Sequence, residues 1–202
     1  MNSITLKGVL TNIHPSHEIN DIEFCKANML VKRTDGKEDL INVRFKKFSN
    51  PYEENQEVHL SGNLRSYSTR LPNGKNKVDL YVFTYFDVPG TNEDDQEDVN
   101  RVEIDGRICK IDNLRVTQGG KHNLHFILAN NLIVSDGAKK LNSYIPCIAW
   151  GRDAIELSKL SINSQLQVTG ELHSREYKKI MEDGSFEFRV AHECVIKSFE
   201  IL

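Results

Sequence analysis

Near the C-terminal end of this 202-residue chain, Tyr144, Trp150 and Tyr177 are interspersed with Arg152, Arg175, Lys178 and Lys179. Aromatic faces stack on other planar groups and cations neutralise phosphates, and an unpaired polynucleotide requires both. Trp150 is the single tryptophan, and Tyr144 stands six residues before it. In a strand that even spacing puts both rings on one face. No catalytic arrangement competes with this reading. Gly119-Gly120-Lys121 and Asn73-Gly74-Lys75 lack the Walker spacing and its following Ser or Thr. His14-Pro-Ser-His17 and His122-Asn-Leu-His125 lack the helix and the glutamate of a zinc protease. No Ser-His-Asp or paired-carboxylate pattern stands out, so neither enzyme activity, a cofactor nor a metal site is expected.

The elements that must position these residues are alternating strands. The pattern predicts strands at 3–10, 22–33, 39–46, 57–67 and 77–87, then at 101–110, 122–131, 143–150, 165–176 and 186–200. One helix is expected, Asp153 to Leu160, with Asp153 as N-cap and Ile155, Leu157 and Leu160 inward. In the first half Ser49-Asn50-Pro51-Tyr52 takes that place, so the helix there is short or lost. The halves repeat. Ile4-Thr5-Leu6-Lys7-Gly8 matches Val102-Glu103-Ile104-Asp105-Gly106, and Val58-His59-Leu60-Ser61-Gly62 matches Leu166-Gln167-Val168-Thr169-Gly170. Leu71-Pro72-Asn73-Gly74 and Met181-Glu182-Asp183-Gly184 are matching hairpin turns. The segment ending Ile41-Asn42-Val43-Arg44-Phe45 is matched to the one ending Ile148-Ala149-Trp150, which sets Phe45 on Trp150 and Asp39 on Tyr144. Two copies of one domain follow. The expected class is all-β: two tandem five-stranded barrels of the oligonucleotide-binding (OB) type, with one short helix in the second.

Residues 1–88 form the first domain, 89–100 an acidic linker and 101–202 the second domain. The two domains each carry a net charge of +1 and the linker −5, giving the chain's −3. Near-neutral domains weigh against nucleic-acid binding unless charge is segregated to one face. The four cysteines include no CxxC pair, which argues against a zinc ribbon. Cys109, Cys147 and Cys194 lie in apolar strand patterns and are expected to be buried thiols. With no signal peptide and no apolar run of spanning length, a cytoplasmic protein without membrane contact is expected.

The run Ser143-Tyr-Ile-Pro-Cys-Ile-Ala-Trp-Gly-Arg152 through Leu166-Gln-Val-Thr-Gly-Glu-Leu-His-Ser-Arg-Glu-Tyr177 resembles the bacterial single-stranded DNA-binding protein family. Asn100-Arg-Val-Glu-Ile-Asp-Gly-Arg-Ile108 and Phe126-Ile-Leu-Ala-Asn-Asn131 extend the likeness. The resemblance implies sequence-independent binding of single-stranded DNA in replication, recombination or repair, near the nucleoid. It makes Trp150, Tyr177 and, by spacing, Tyr144 the stacking platform. Arg107, Arg152, Arg175, Lys178 and Lys179 then meet phosphates. In the weaker first copy Phe45 and Tyr67 are the candidate rings, and Arg44, Lys46, Lys47, Arg65 and Arg70 the cations. It also implies a homodimer presenting four OB folds. The family's acidic C-terminal tail, which recruits replication and repair proteins, has no counterpart before Leu202. Two other readings use the same barrels. One is a protein–protein interaction module of a replication-restart or plasmid system with little DNA affinity. The other is single-stranded RNA binding, in the manner of cold-shock barrels.

Overall fold

The computed structural model describes residues 1–47, 52–71, 74, 76–87, 100–134, 139–181 and 184–202. Its strands are β1 (Asn2–Ile19), β2 (Ile22–Lys32), β3 (Glu38–Lys46), β4 (Glu57–Arg70), β5 (Asn76–Asp87) and β6 (Asn100–Ile111). They continue as β7 (Arg115–Val116), β8 (His122–Val134), β9 (Lys139–Trp150), β10 (Gln165–Ile180) and β11 (Phe186–Ile201), with helix α1 (Gly151–Leu157) after β9. β1 pairs with both β2 and β4, and β3 pairs with β5, which closes one barrel; β6, β8, β9, β11 and β10 close the other in the same order. β1 and β6 then pair antiparallel with Ile4 opposite Val102, joining the barrels into one sheet.

Alternation explains the cores. Leu6, Leu10, Met29, Ile41, Leu60 and Leu64 are fully buried in the first barrel, as are Ile104, Ile108, Leu124 and Leu128 in the second. The repeat reaches the polar groups as well. Asn2 Nδ2 donates to the Leu64 carbonyl at 2.8 Å, and its Oδ1 accepts the Leu64 N–H at 2.9 Å. Asn100 does the same with Leu172, at 2.7 and 2.9 Å.

Four expectations need correction. The register of β3 is one. The parallel bridges set Val43 opposite Val82 and Cys147 opposite Cys194, so Val43 is the counterpart of Cys147. Trp150 then corresponds to Lys46 rather than Phe45, and Tyr144 to Leu40 rather than Asp39. A one-residue slip exchanges the faces of a strand, and Phe45 is accordingly 2% exposed, edge-on to Tyr52 at 4.9 Å. Second, α1 begins at Gly151 with Trp150 as its N-cap, and Asp153 lies in the first turn. Gly151 has φ +59°, the left-handed turn that lets an extended strand enter a helix without a loop. Third, β1 runs on to Ile19 through an irregularity between Thr11 and His14, and turns at Asn20 and Asp21, both with positive φ. Fourth, Cys109 is exposed, because the inward positions of β6 are Val102, Ile104, Gly106 and Ile108, and alternation puts Cys109 on the outer face. Of the expected linker, Asn100 already belongs to β6, and 89–99 lie outside the described residues.

Where β10 bends onto β11, between Thr169 and Gly170, an added Cβ on Gly170 would stand 2.4 Å from the Val195 carbonyl oxygen. Gly62 meets the Phe83 oxygen at the same 2.4 Å in the other barrel. Backbone cannot yield as a side-chain end can. Gly170→Ala is therefore expected to cost about 3 kcal/mol, read as a melting temperature lower by roughly 6–12 °C.

Candidate nucleic-acid interface

β9 carries Tyr144 and Trp150 outward on one face, each 41% exposed and about 20 Å apart along the strand. Across the sheet Arg107, Ala129 and Tyr144 stand in one row, since β8 pairs Ala129 with both neighbours. The small Ala129 leaves about 10 Å of low surface between cation and ring. Trp150 is paired with Asn123, two residues beyond the exposed Lys121. The Arg152 side chain is 88% exposed and its Nε holds Glu156 at 2.7 Å, a bond that raises the guanidinium's pKa. A phosphate at Arg152 would share it with that carboxylate.

β10 and β11 leave the second barrel as a hairpin arm, and Glu193 ties its base to the same outer face. Its carboxylate lies 3.8 Å from Arg175 and 3.9 Å from the His125 ring. Arg175 stands 5.9 Å over the half-buried Tyr177, which brings Tyr177 and Arg175 to the side of the barrel bearing Trp150. Lys178 lies on the arm's other face, 3.7 Å over Phe186, and Lys179 is half-buried beside Tyr177. Phe186 and Phe188, which nothing in the sequence marks as surface rings, are 54% and 63% exposed. Their alternation with Glu187 and Arg189 mimics a core-facing strand, and only the length of the arm beyond the barrel exposes them.

The first barrel is built differently. Phe45 belongs to the core and offers no face to a base. Tyr67 is 58% exposed on β4. Arg65 is buried over Phe83 at 4.0 Å, Arg44 covers Tyr81 at 3.9 Å, and Lys47 is held by Glu23 at 2.8 Å. Lys46 occupies the position of Trp150, and Arg70 is exposed at the end of β4. A groove of about 270 Å³ runs along this face, lined by His14, Lys26, Asn28, Asn42, Arg44, Lys77 and Asp79. At its side His17 stacks on Phe24 at 4.8 Å with rings 1° from parallel. Arg44 is the member of this lining that the sequence marks as a candidate cation; the His14 and His17 side is not legible there, because the strand Asn12–Ile19 contains Pro15 and mostly polar residues and does not read as a strand.

Two closed barrels with outward rings, cations and long arms define a tandem oligonucleotide-binding-fold protein. The family model described as the single-strand binding protein family matches residues 99–202. The chain belongs to that family, and binding of single-stranded DNA is the general function that membership carries. The wild-type single-stranded DNA-binding protein of Thermus aquaticus superposes with a TM-score of 0.71 at 18% identity, over 100% of this chain and 93% of that one. A deletion mutant of the same Thermus protein also gives 0.71 at 18%, over 100% and 94%. Comparison with curated protein sequences finds no match. Among the described residues, no helix is long and apolar enough to cross a membrane.

Proposed function

We propose that the chain binds single-stranded DNA without reading its sequence, stacking bases on Tyr144, Trp150 and Tyr177. Arg107, Arg152, Arg175, Lys178 and Lys179 neutralise phosphates, and the bound strand is protected during replication, recombination or repair. The observation that carries this reading is the pair of half-exposed rings on one face of β9, with Arg107 in the Tyr144 row and Arg152 after Trp150. Such rings have no packing role that would expose them, and every base has a face to stack. In the first barrel Tyr67 with Arg44, Lys46 and Arg70 extends the path; Arg65, buried over Phe83, and Lys47, held by Glu23, contribute less. Two copies of the chain would present four barrels to one strand, which raises avidity through effective concentration.

The test is fluorescence anisotropy with labelled oligothymidine, challenged with duplex, across a salt series. Duplex should fail to displace the oligomer. For about five phosphate contacts, log K should fall against log salt with a slope near −3.5, roughly −0.7 per contact on single strands. Removal of one contributing cation, as in Arg107→Ala, should make the slope shallower by about 0.7. Equal competition by duplex, or binding indifferent to salt, would count against the proposal. The mass of the free chain by light scattering decides between monomer and homodimer.

A further inference from the structure

The arm of the second barrel does not stand clear of the first; its base is docked there. Ser174 Oγ accepts the Leu40 N–H at 2.9 Å, the Ser174 carbonyl accepts Arg33 at 3.0 Å, and His192 Nε2–H donates to the Leu40 carbonyl at 2.7 Å. Beyond this contact the same face of the arm continues outward. Ser174–His192, Glu176–Val190, Lys178–Phe188 and Ile180–Phe186 are successive same-face cross-strand pairs, spanning about 20 Å. That face is open and carries four exposed apolar side chains, Val190 at 40%, Phe188 63%, Phe186 54% and Ile180 72%, with Glu176 and Lys178 as its charged members. The two phenylalanine rings meet edge to face at 5.7 Å, with the Lys178 ammonium over one of them.

The first barrel beside the docking point has the opposite composition. Leu40, the docked residue, shares its strand face with Asn42 and Arg44, and these stand across from Asn28 and Lys26 on β2. That surface has cations and amides, while its nearby ring, Tyr81, lies beneath Arg44. Along the Leu40–Asn42–Arg44 row no ring is open to a base: Tyr81 lies beneath Arg44, and Phe24, on the same face of β2, is already stacked on His17, whereas the adjoining arm carries two open rings.

We propose that the second barrel's arm supplies stacking for the strand held by the first barrel. Bases lie on Phe186 and Phe188, and their phosphates are met by Lys178, Lys26 and Arg44. The occupant of the open arm face is thus single-stranded nucleic acid. The proposal rests on the reading of the chain as a single-strand binder, but assigns the arm to the opposite barrel from the one that carries it.

The test uses the full chain, long oligothymidine, and the variants Phe186→Ala with Phe188→Ala, Arg44→Ala and Trp150→Ala, alone and combined. All substituted side chains are outside the core, and melting temperatures verify folding. The doubly substituted arm should bind about thirty-fold more weakly or worse. Its effect should be strongly non-additive with Arg44→Ala and multiplicative with Trp150→Ala. Coupling to Trp150 in place of Arg44 would return the arm to its own barrel and overturn the proposal. Unchanged affinity while Trp150→Ala still weakens binding would remove the arm from the site. A change of oligomeric mass without a change of affinity would make a second copy the occupant. If Trp150→Ala and Arg44→Ala also leave affinity untouched, the single-strand reading itself fails.

Discussion

Alanine at both Tyr144 and Trp150 is expected to weaken oligothymidine binding by about 2–6 kcal/mol, at 1–3 kcal/mol for each stacked base. The lower bound is already close to thirty-fold in affinity. Stability should hardly change. Both rings are 41% exposed, so their removal opens no cavity, and the strand-to-helix turn after Trp150 is made by Gly151. Phe45→Ala supplies the contrast. That ring is in the core, and its truncation should cost about 3–5 kcal/mol of folding stability. Anisotropy and thermal melts on the same preparations separate the two effects. A melting temperature lowered in the Tyr144 and Trp150 variant as much as in the Phe45 variant would mean that the surface rings are structural.

The second large effect concerns Asp39, a carboxylate with no exposed surface. Arg33 donates to it through Nε at 2.6 Å and Nη2 at 2.5 Å, and the Ser174 N–H of the other barrel donates at 2.5 Å. Asp39→Ala leaves a half-buried guanidinium without its carboxylate, holding the Ser174 carbonyl alone of these partners, and the Ser174 N–H without its acceptor. The expected cost is about 3–5 kcal/mol, or a melting temperature lower by roughly 6–20 °C. A loss under 1 kcal/mol would show that water replaces the carboxylate and that this bond does not join the barrels. The same contact makes stability depend on pH. Burial would raise the Asp39 pKa, but the Arg33 bond, the Ser174 N–H and the His173 and Arg33 charges hold it below the usual carboxylate value. A depressed pKa contributes stability at neutral pH that is lost as pH falls through the native value. His192, beside it, is pushed down by burial despite its Leu40 bond. Its contribution is lost earlier, as pH falls from the ordinary imidazole range toward the native value. Acid should therefore loosen the inter-barrel contact in two stages. His192→Gln should remove the upper stage and Asp39→Ala the lower.

Strand locations were legible because inward positions alternate with outward ones in both halves, and the glycine pairs at 8 and 106 and at 62 and 170 anchored the repeat. The register of β3 was not legible. Asp39 and Phe45 are both core-facing there, and a buried aspartate reads like an exposed one until its partner, 135 residues away, is known. The polar extension of β1 escaped for the same reason: its strand character comes from pairing with β2 and not from alternation. At the candidate interface, Tyr144 and Trp150 could be named from strand spacing and family likeness. Phe186, Phe188 and the Lys26–Arg44 groove depend on how far each hairpin projects and on which barrel it touches, and both are matters of tertiary contact.

The pairing of β1 with β6 has a consequence for how such a molecule can change over time. A barrel that met an identical barrel along this edge would do so only at sufficient concentration, and every surface substitution would appear on both sides at once. Here the meeting is intramolecular, at an effective concentration on the order of millimolar, and each edge always finds the other kind. Dilution does not part the halves, and like never pairs with like. The two barrels are thereby released from resembling one another, so one can keep rings where the other keeps amides and cations.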